Sequence, residues 1–406
     1  MDWGRYVCAQ RRVAAGTPLF GNFTAMAERP AKRPASSSSR PSKGERDSAR
    51  AGAARDGDQG GEAIVPLTAE SISDFSSALA FLDQRVDLER IRQSSETKHA
   101  YKLDRMRAMC KALDHPERSL RMVHVAGTKG KGSTCEMTAA MLGGCGYAVG
   151  VYTSPHLVDV RERIRINGKL IGKQAFADTL KTAAQAAVAV EQAMGPATFF
   201  ELTTAMALVY FMQEAVDVAV IEVGLGGLLD CTNVIEPEVA AVTIIGLEHM
   251  AILGDTVELI AAQKAGIFKQ GAANLTFRQE PAVMTVLEGA AHAAGSPLVV
   301  VGNAPTDQVR WSAKMEATAK RGTQPHLVIK TRHFDFEELV PPLVGEHQAA
   351  NCALAIAIVD ELAHRGLKCP PDKVLDGLES TRLAGRFEVV SSSPRIILDG
   401  AHTPES

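Results

Sequence analysis

One short segment, 122–134 (MVHVAGTKGKGST), combines groups suited to holding phosphate. Val123 and Val125 are β-branched and fit a central strand. Gly127, Gly130 and Gly132 let the backbone turn tightly and bring its N–H groups close to a ligand. Thr128, Lys129 and Ser133 complete the loop. A glycine-rich loop that opens a helix is a natural phosphate site, and Lys131 adds a mobile positive charge. The pattern differs from G-x-x-x-x-G-K-[ST], because a glycine directly follows Lys131. A glycine-rich turn without a ligand is the plain alternative. The strand before, the helix after and the lysine in place favour nucleotide binding.

Further oxygen and nitrogen donors stand at strand ends. Ser154 closes AVGVYT, and Glu222 ends AVIEV just before Gly224-Leu-Gly-Gly227. Glu248 and His249 follow VAAVTIIG. Magnesium bound with phosphate oxygens needs only one or two carboxylates, with hydroxyl and water completing its shell. Taken alone, Glu222 reads as a buried hydrogen-bonded glutamate and His249 as a satisfied loop histidine. On the same edge as Lys131, metal binding is the preferred reading.

The elements that must position these groups alternate. Helical period begins at Ser71, with Ile72, Phe75, Leu79, Phe81 and Leu82 on one face, and a second helix spans 102–113. Strands are expected at 122–126, 148–153, 218–223, 239–245 and 396–399. Helices are expected near 133–142, 173–192, 200–214, 256–268 and 347–364. The helix after the loop starts at Ser133, shows Met137, Ala140 and Met141 on one face, and ends at Gly143, Gly144 and Gly146. This order predicts an α/β fold with a doubly wound, mostly parallel sheet, whose ligands bind outside the carboxyl ends of the strands.

At 406 residues the chain has room for two domains. A formal charge of -3 and 5% aromatic residues give no support for nucleic-acid binding. No apolar run is long enough to span a membrane. The seven cysteines lack CxxC or metal-type spacing, which fits free thiols in a reducing cytoplasm. Residues 1–66 are rich in Ser, Arg, Lys, Pro and Gly and read as a disordered extension. A start called too early, with Met26 or a later codon as the true one, is the alternative, and the likeness to a transit peptide is weaker.

The segments HVAGTKGKGST, YTSPHLVDVRERIRING, TFFELTTAMAL, IEVGLGGLLDCTNVI, LGDTVELIAAQKAGIFK, GRFEVV and ILDGAH stand in one order and spacing. From about Ser71 onward the chain thereby resembles the folylpolyglutamate synthase/dihydrofolate synthase family of the Mur ligase superfamily. The resemblance implies an ATP-dependent amide ligase that joins L-glutamate to dihydropteroate, to tetrahydrofolate (poly)glutamates, or to both, through an acyl phosphate. It implies that Lys131 and the backbone of 127–133 hold phosphates, and that Ser154, Glu222 and His249 bind two magnesium ions. Lys264 would carry a carbamate. Phe199, Phe200, Leu229, Asp230 and Cys231 would bind the pterin, with core packing the alternative for the two Phe. Asn351, Arg386 and Asp399 would supply the remaining ATP contacts. Lys131, Lys264 and His249 are the expected catalytic groups of a cytoplasmic monomer.

Four positions depart from the family pattern. Leu228 replaces arginine, Gln263 replaces glutamate, Glu248 replaces aspartate and Thr403 replaces asparagine. The expected organisation is an ATP-binding domain over 67–380, then a linker and the truncated start of a glutamate-ligase domain over 381–406. The strand PRIILD is expected to stand without neighbours, with Ile396, Ile397 and Leu398 exposed. A nucleotide-binding remnant without ligase activity is therefore the competing class. A cell-wall Mur ligase is disfavoured by TSPHL and GLGGLLD, and a GTPase-like switch by the lack of N-K-x-D.

Overall fold

The computed structural model describes residues 67–87, 103–318 and 322–400. The extension expected over 1–66, and Thr403, lie outside the described residues.

The strands are β1 (Met122–Ala126), β2 (Val149–Tyr152), β3 (Ile164–Ile166), β4 (Lys169–Leu170), β5 (Val218–Glu222), β6 (Val239–Val242), β7 (Ala273–Phe277), β8 (Leu298–Gly302), β9 (Val309–Thr318), β10 (Gly322–Lys330), β11 (Asp335–Leu339), β12 (Glu388–Ser392) and β13 (Arg395–Leu398). The helices are α1 (Phe75–Asp83), α2 (Leu103–Ala112), α3 (Lys131–Gly144), α4 (Lys173–Met194), α5 (Phe199–Gln213), α6 (Met250–Leu253), α7 (Val257–Ala265), α8 (Pro281–Ala293), α9 (Glu346–His364) and α10 (Pro371–Glu379).

Eleven strands form one sheet in the order β11-β10-β9-β8-β7-β6-β1-β5-β2-β3-β4. From β9 through β2 every neighbouring pair is parallel, and antiparallel strands extend both edges. Helices cover both faces, so the fold is the doubly wound α/β architecture expected. Strand β1 is buried along its whole length, as a central parallel strand must be. Val123 and Val125 pack with α3, α9 and α10, while Ala126 packs with α7 and α8 on the other face. The α1, α2, α4 and α5 helices shelter a further core around Tyr152 and Ile221. Among the described residues no helix is long and apolar enough to cross a membrane.

Several boundaries differ from the sequence expectation. Helix α3 starts at Lys131 rather than Ser133, because Gly130 at φ +88° serves as its N-cap. Gly143 and Gly144 are the last two residues of α3, so the helix does end at the glycines expected. A Cβ on Gly144 would come within 2.5 Å of the Lys373 carbonyl oxygen, so its bareness lets α10 approach. Gly146, at φ +91°, makes the actual turn away. Strand β6 stops at Val242, because Thr243 to Gly246 leave the sheet to hold the phosphate loop. Strand β13 does have a neighbour: it pairs antiparallel with β12 in a separate two-stranded sheet. Ile396, Ile397 and Leu398 are exposed there, as expected. The strands β3, β4 and β7 to β12 and the helices α6, α8 and α10 have no counterpart in the sequence expectation.

Candidate active site

Strand β1 lies between β5 and β6, and the chain leaves β1 through α3 to reach β2 on the β5 side. The crevice where connections part to opposite sides is therefore at the carboxyl ends of β1 and β6. The loop 127–133 sits there and is tied to the segment after β6. Thr128 N–H donates to the Ile244 carbonyl at 2.8 Å, and the Thr243 hydroxyl donates to the Lys129 carbonyl at 2.7 Å. Thr128 and Gly246 exchange two further bonds, at 3.1 and 3.2 Å. Two glycines are enforced by these neighbours. A Cβ on Gly127 would fall 1.7 Å from the Thr243 hydroxyl oxygen, and one on Gly130 would fall 2.3 Å from Asn351 Oδ1. Asn351, on α9, thus packs directly on the loop and donates to Gln348 at 3.0 Å.

The lysines of this region have different partners. Lys131 Nζ donates back to the carbonyls of Gly127 and Thr128 at 3.1 and 3.4 Å. Lys129 pairs with Glu248 at 2.9 Å, so the glutamate at this position does have a local partner. Burial works against the Glu248 carboxylate, but Lys129 holds it below the usual range. Lys264 reaches across from α7 and donates to the Gly127 carbonyl at 2.7 Å, with 3% of its surface exposed. Burial, and then the charge of Lys131, push the Lys264 ammonium down to about 7. His249 stands at the mouth of this group at φ +54°. Burial lowers its affinity for a proton, and Lys131, Lys264 and Lys129 add to this against the opposing pull of Glu248. The site therefore favours a neutral imidazole, the form that can ligate a metal.

Glu222 ends β5, adjacent to Val125 of β1, and is buried. Its Oε2 accepts from Ser154 N–H at 3.2 Å, so the ends of β5 and β2 are joined by this carboxylate. The glycine that breaks the usual phosphate-loop pattern has a local consequence. A Cβ on Gly132 would meet both Glu222 oxygens at 3.7 and 4.0 Å, ordinary contact distances, so the start of α3 lies directly beside the carboxylate. Ser154 and Glu222 come together as expected. His249 lies in the neighbouring loop after β6. Among the described residues no three His, Cys, Asp or Glu side chains form a metal-binding cluster.

Beside this crevice, α5 is opened by a capping box between Thr198 and Glu201, and Arg105 of α2 pairs with Glu201 at 2.8 Å. This fixes Phe199 and Phe200. Phe199 is buried with Arg163 over its ring at 5.1 Å, while Phe200 lies against Tyr152 at 5.8 Å and covers Gly224. Asp230 is buried, which raises its affinity for a proton. Its carboxylate accepts from the N–H groups of Leu225 and Thr232 at 2.8 and 3.0 Å, bracing the glycine loop. Cys231 is buried against Thr204 at 3.2 Å, and Leu229 is exposed. Sequence reasoning missed His124 on β1, whose Nε2 lies 2.9 Å from the Thr232 hydroxyl. Burial pushes this imidazole down to about 3, so it is neutral and ties the brace to the central strand. Thr243 was also missed, because its partner lies more than a hundred residues away.

The other expected nucleotide contacts sit near the start of α9. Asp399 accepts from Phe387 N–H at 2.7 Å, and Arg386 packs beside Gly400. Both influence His347, one turn before Asn351 on the same helix.

A parallel sheet with a phosphate loop at its switch point and a lysine-rich crevice is a nucleotide-binding domain, and residues 125–359 match the Mur ligase middle domain. The dihydrofolate synthase/folylpolyglutamate synthase of Bacillus subtilis is 36% identical over 306 residues, which cover 75% of this chain and 69% of that protein. The protein of the same description from Escherichia coli is 36% identical, with 70% of this chain and 61% of that protein covered. A solved FPGS–AMPPCP–folate complex superposes with a TM-score of 0.72 at 31% identity, covering 82% of this chain and 78% of that one. The chain belongs to the folylpolyglutamate synthase/dihydrofolate synthase family.

Proposed function

We propose that this chain acts as an ATP-dependent amide ligase that joins L-glutamate to dihydropteroate, to folates, or to both. The observation that carries the reading is the convergence of the loop 127–133, Lys131, Lys264 and Glu222 on one crevice, in a chain whose relatives bear these activities in their names. ATP transfers its γ-phosphoryl group to a substrate carboxylate, giving an acyl phosphate and ADP. The amine of glutamate then attacks the acyl carbon, forming the amide and releasing phosphate and a proton.

Phosphoryl transfer needs positioning and charge neutralisation more than covalent groups. Loop N–H groups at the start of α3 would hold phosphate, and Lys131 would exchange its carbonyl partners for phosphate oxygens. Asn351, Arg386 and Asp399 would bound the nucleotide from the α9 side. The residues fit magnesium: the buried carboxylate of Glu222 lies beside the start of α3 and is bonded to the backbone of Ser154, whose hydroxyl is a second oxygen donor. Glu222, Ser154 and His249 would hold it, and bound magnesium neutralises phosphate charge. Phe199, Phe200, Leu229, Asp230 and Cys231 would form the pterin side, where Phe200 offers the half-buried ring face. Asp230 would act chiefly by bracing the loop, since both its oxygens are engaged there.

Lys264 would become a carbamate. Its amine reacts with carbon dioxide only when neutral, and burial near Lys131 favours that form. The resulting anion would face Lys131 instead of placing a second cation beside it. The working form is read as a cytoplasmic monomer. The test is calorimetry with magnesium and ATP, together with ADP release that depends on glutamate and on dihydropteroate or a folate. Lys131→Ala is expected to weaken nucleotide binding at least tenfold, about 1.4 kcal/mol. Equal affinity in the two proteins would remove Lys131 from this role.

A further inference from the structure

The sequence places Cys145 and Cys369 far apart, in no recognisable motif. The fold brings them together at the end of α3 opposite the phosphate loop. Their side chains pack against the same core and lie close enough to influence each other, both are free thiols, and both are partly accessible. Neighbouring atoms report the same closeness. The Tyr147 hydroxyl accepts from Lys368 N–H at 2.7 Å and donates to the Lys368 carbonyl at 3.3 Å.

Each backbone is held by a similar helix ending. After α3, Gly146 N–H donates to the Gly143 carbonyl at 3.0 Å and Tyr147 N–H to the Leu142 carbonyl at 3.3 Å. After α9, Gly366 N–H donates to the Ala363 carbonyl at 3.0 Å and Leu367 N–H to the Leu362 carbonyl at 3.1 Å. Both glycines have positive φ. These are Schellman-type endings, which leave the following residues little freedom. Between them, α10 lies against α3 through Gly144 and Gly377. The two sulfurs are therefore held together by packed helices.

We propose that Cys145 and Cys369 form an oxidisable dithiol whose disulfide staples the end of the phosphate-loop helix to the α9–α10 turn. With a low-molecular-weight disulfide as oxidant, one thiolate attacks it and releases one small thiol. The second thiolate then displaces the other, so two protein thiols are oxidised and one small disulfide is reduced to two thiols. The pair lies about 20 Å from the loop, the length of α3. Closing it would constrain the unfolded chain over a very long loop and leave the phosphate site open.

Burial raises both thiols, so exchange is expected to be slow at neutral pH and faster towards alkaline pH. The test equilibrates the full chain with oxidised and reduced glutathione at about pH 8.5, close to the ordinary thiol value. Peptide mapping by mass spectrometry should find a Cys145–Cys369 crosslink in the wild type, with loss of about 2 Da from two departing hydrogens. Tm should rise by about 5 °C on oxidation, and the rise should be absent in Cys369→Ser. The oxidised protein should still bind ATP. Mapping of the wild type under oxidising glutathione that finds no such crosslink, or only single glutathione adducts at either cysteine, overturns the proposal whatever the variant does.

Discussion

Carbon dioxide is the most direct probe of Lys264. It adds only to a neutral amine, giving R–NH–COO⁻ and one proton. The Lys264 ammonium is brought from an ordinary 10.5 down to about 7, first by burial and then by Lys131. At pH 7 an ordinary lysine is neutral in roughly one molecule in three thousand, while a lysine titrating near 7 is neutral in about half. The reactive amine at this one position is thus enriched about a thousandfold over exposed lysines. The product would also convert a like-charge contact with Lys131 into an attraction, which pulls the equilibrium further. Carbon-13 NMR in labelled bicarbonate near neutral pH should therefore show, beside the signal of the terminal α-amine, whose ordinary value is about 7.7–8.0, one carbamate signal that Lys264→Ala removes. Raising the pH should bring in surface lysines later, as broad additional intensity. A wild-type spectrum with only the α-amine signal in saturating bicarbonate would refute the argument, as would a Lys264→Ala spectrum that keeps every wild-type signal.

The same shift has a thermodynamic side. The folded chain holds the Lys264 proton less tightly than the unfolded chain, so between about pH 7 and 10.5 the unfolded state binds more protons and stability rises with pH. Lys264→Met should accordingly gain on the wild type by about 3–5 kcal/mol on going from about pH 10 to pH 6, read from urea melts without bicarbonate; a pH-independent difference would sink this. Gly130→Ala should cost about 2–3 kcal/mol, from its positive φ and the overlap with Asn351, and weaken ATP binding. Adding Asn351→Ala should return part of that stability, and thermal melts showing no recovery would place the strain elsewhere. Glu222→Gln should reduce the gain in ATP affinity on adding magnesium at least tenfold, about 1.4 kcal/mol, in calorimetry. An unchanged magnesium dependence would exclude Glu222 as a ligand.

Local chemistry made much of this protein legible in its sequence. The strand–loop–helix order around Lys131 and the alternation that predicts a doubly wound sheet both depend on residues close together in the chain. Glu222 and His249 could be placed at one edge because parallel strands end on the same side. Tertiary structure decided what depends on distant partners. The side chains of Thr243 and Asn351 explain why positions 127 and 130 must be glycine, and neither contact leaves a mark in the local pattern. Gly144 reads locally as a helix end and is the last residue of α3, but that its bareness also admits α10 leaves no mark in the local pattern. The amine of Lys264 reads as a surface cation until α7 carries it into the crevice, where lost hydration and the charge of Lys131 change its protonation. Cys145 and Cys369 meet for the same reason. Sequence periodicity records which face of an element is buried, but the identity of the group it meets is set only when the layers pack.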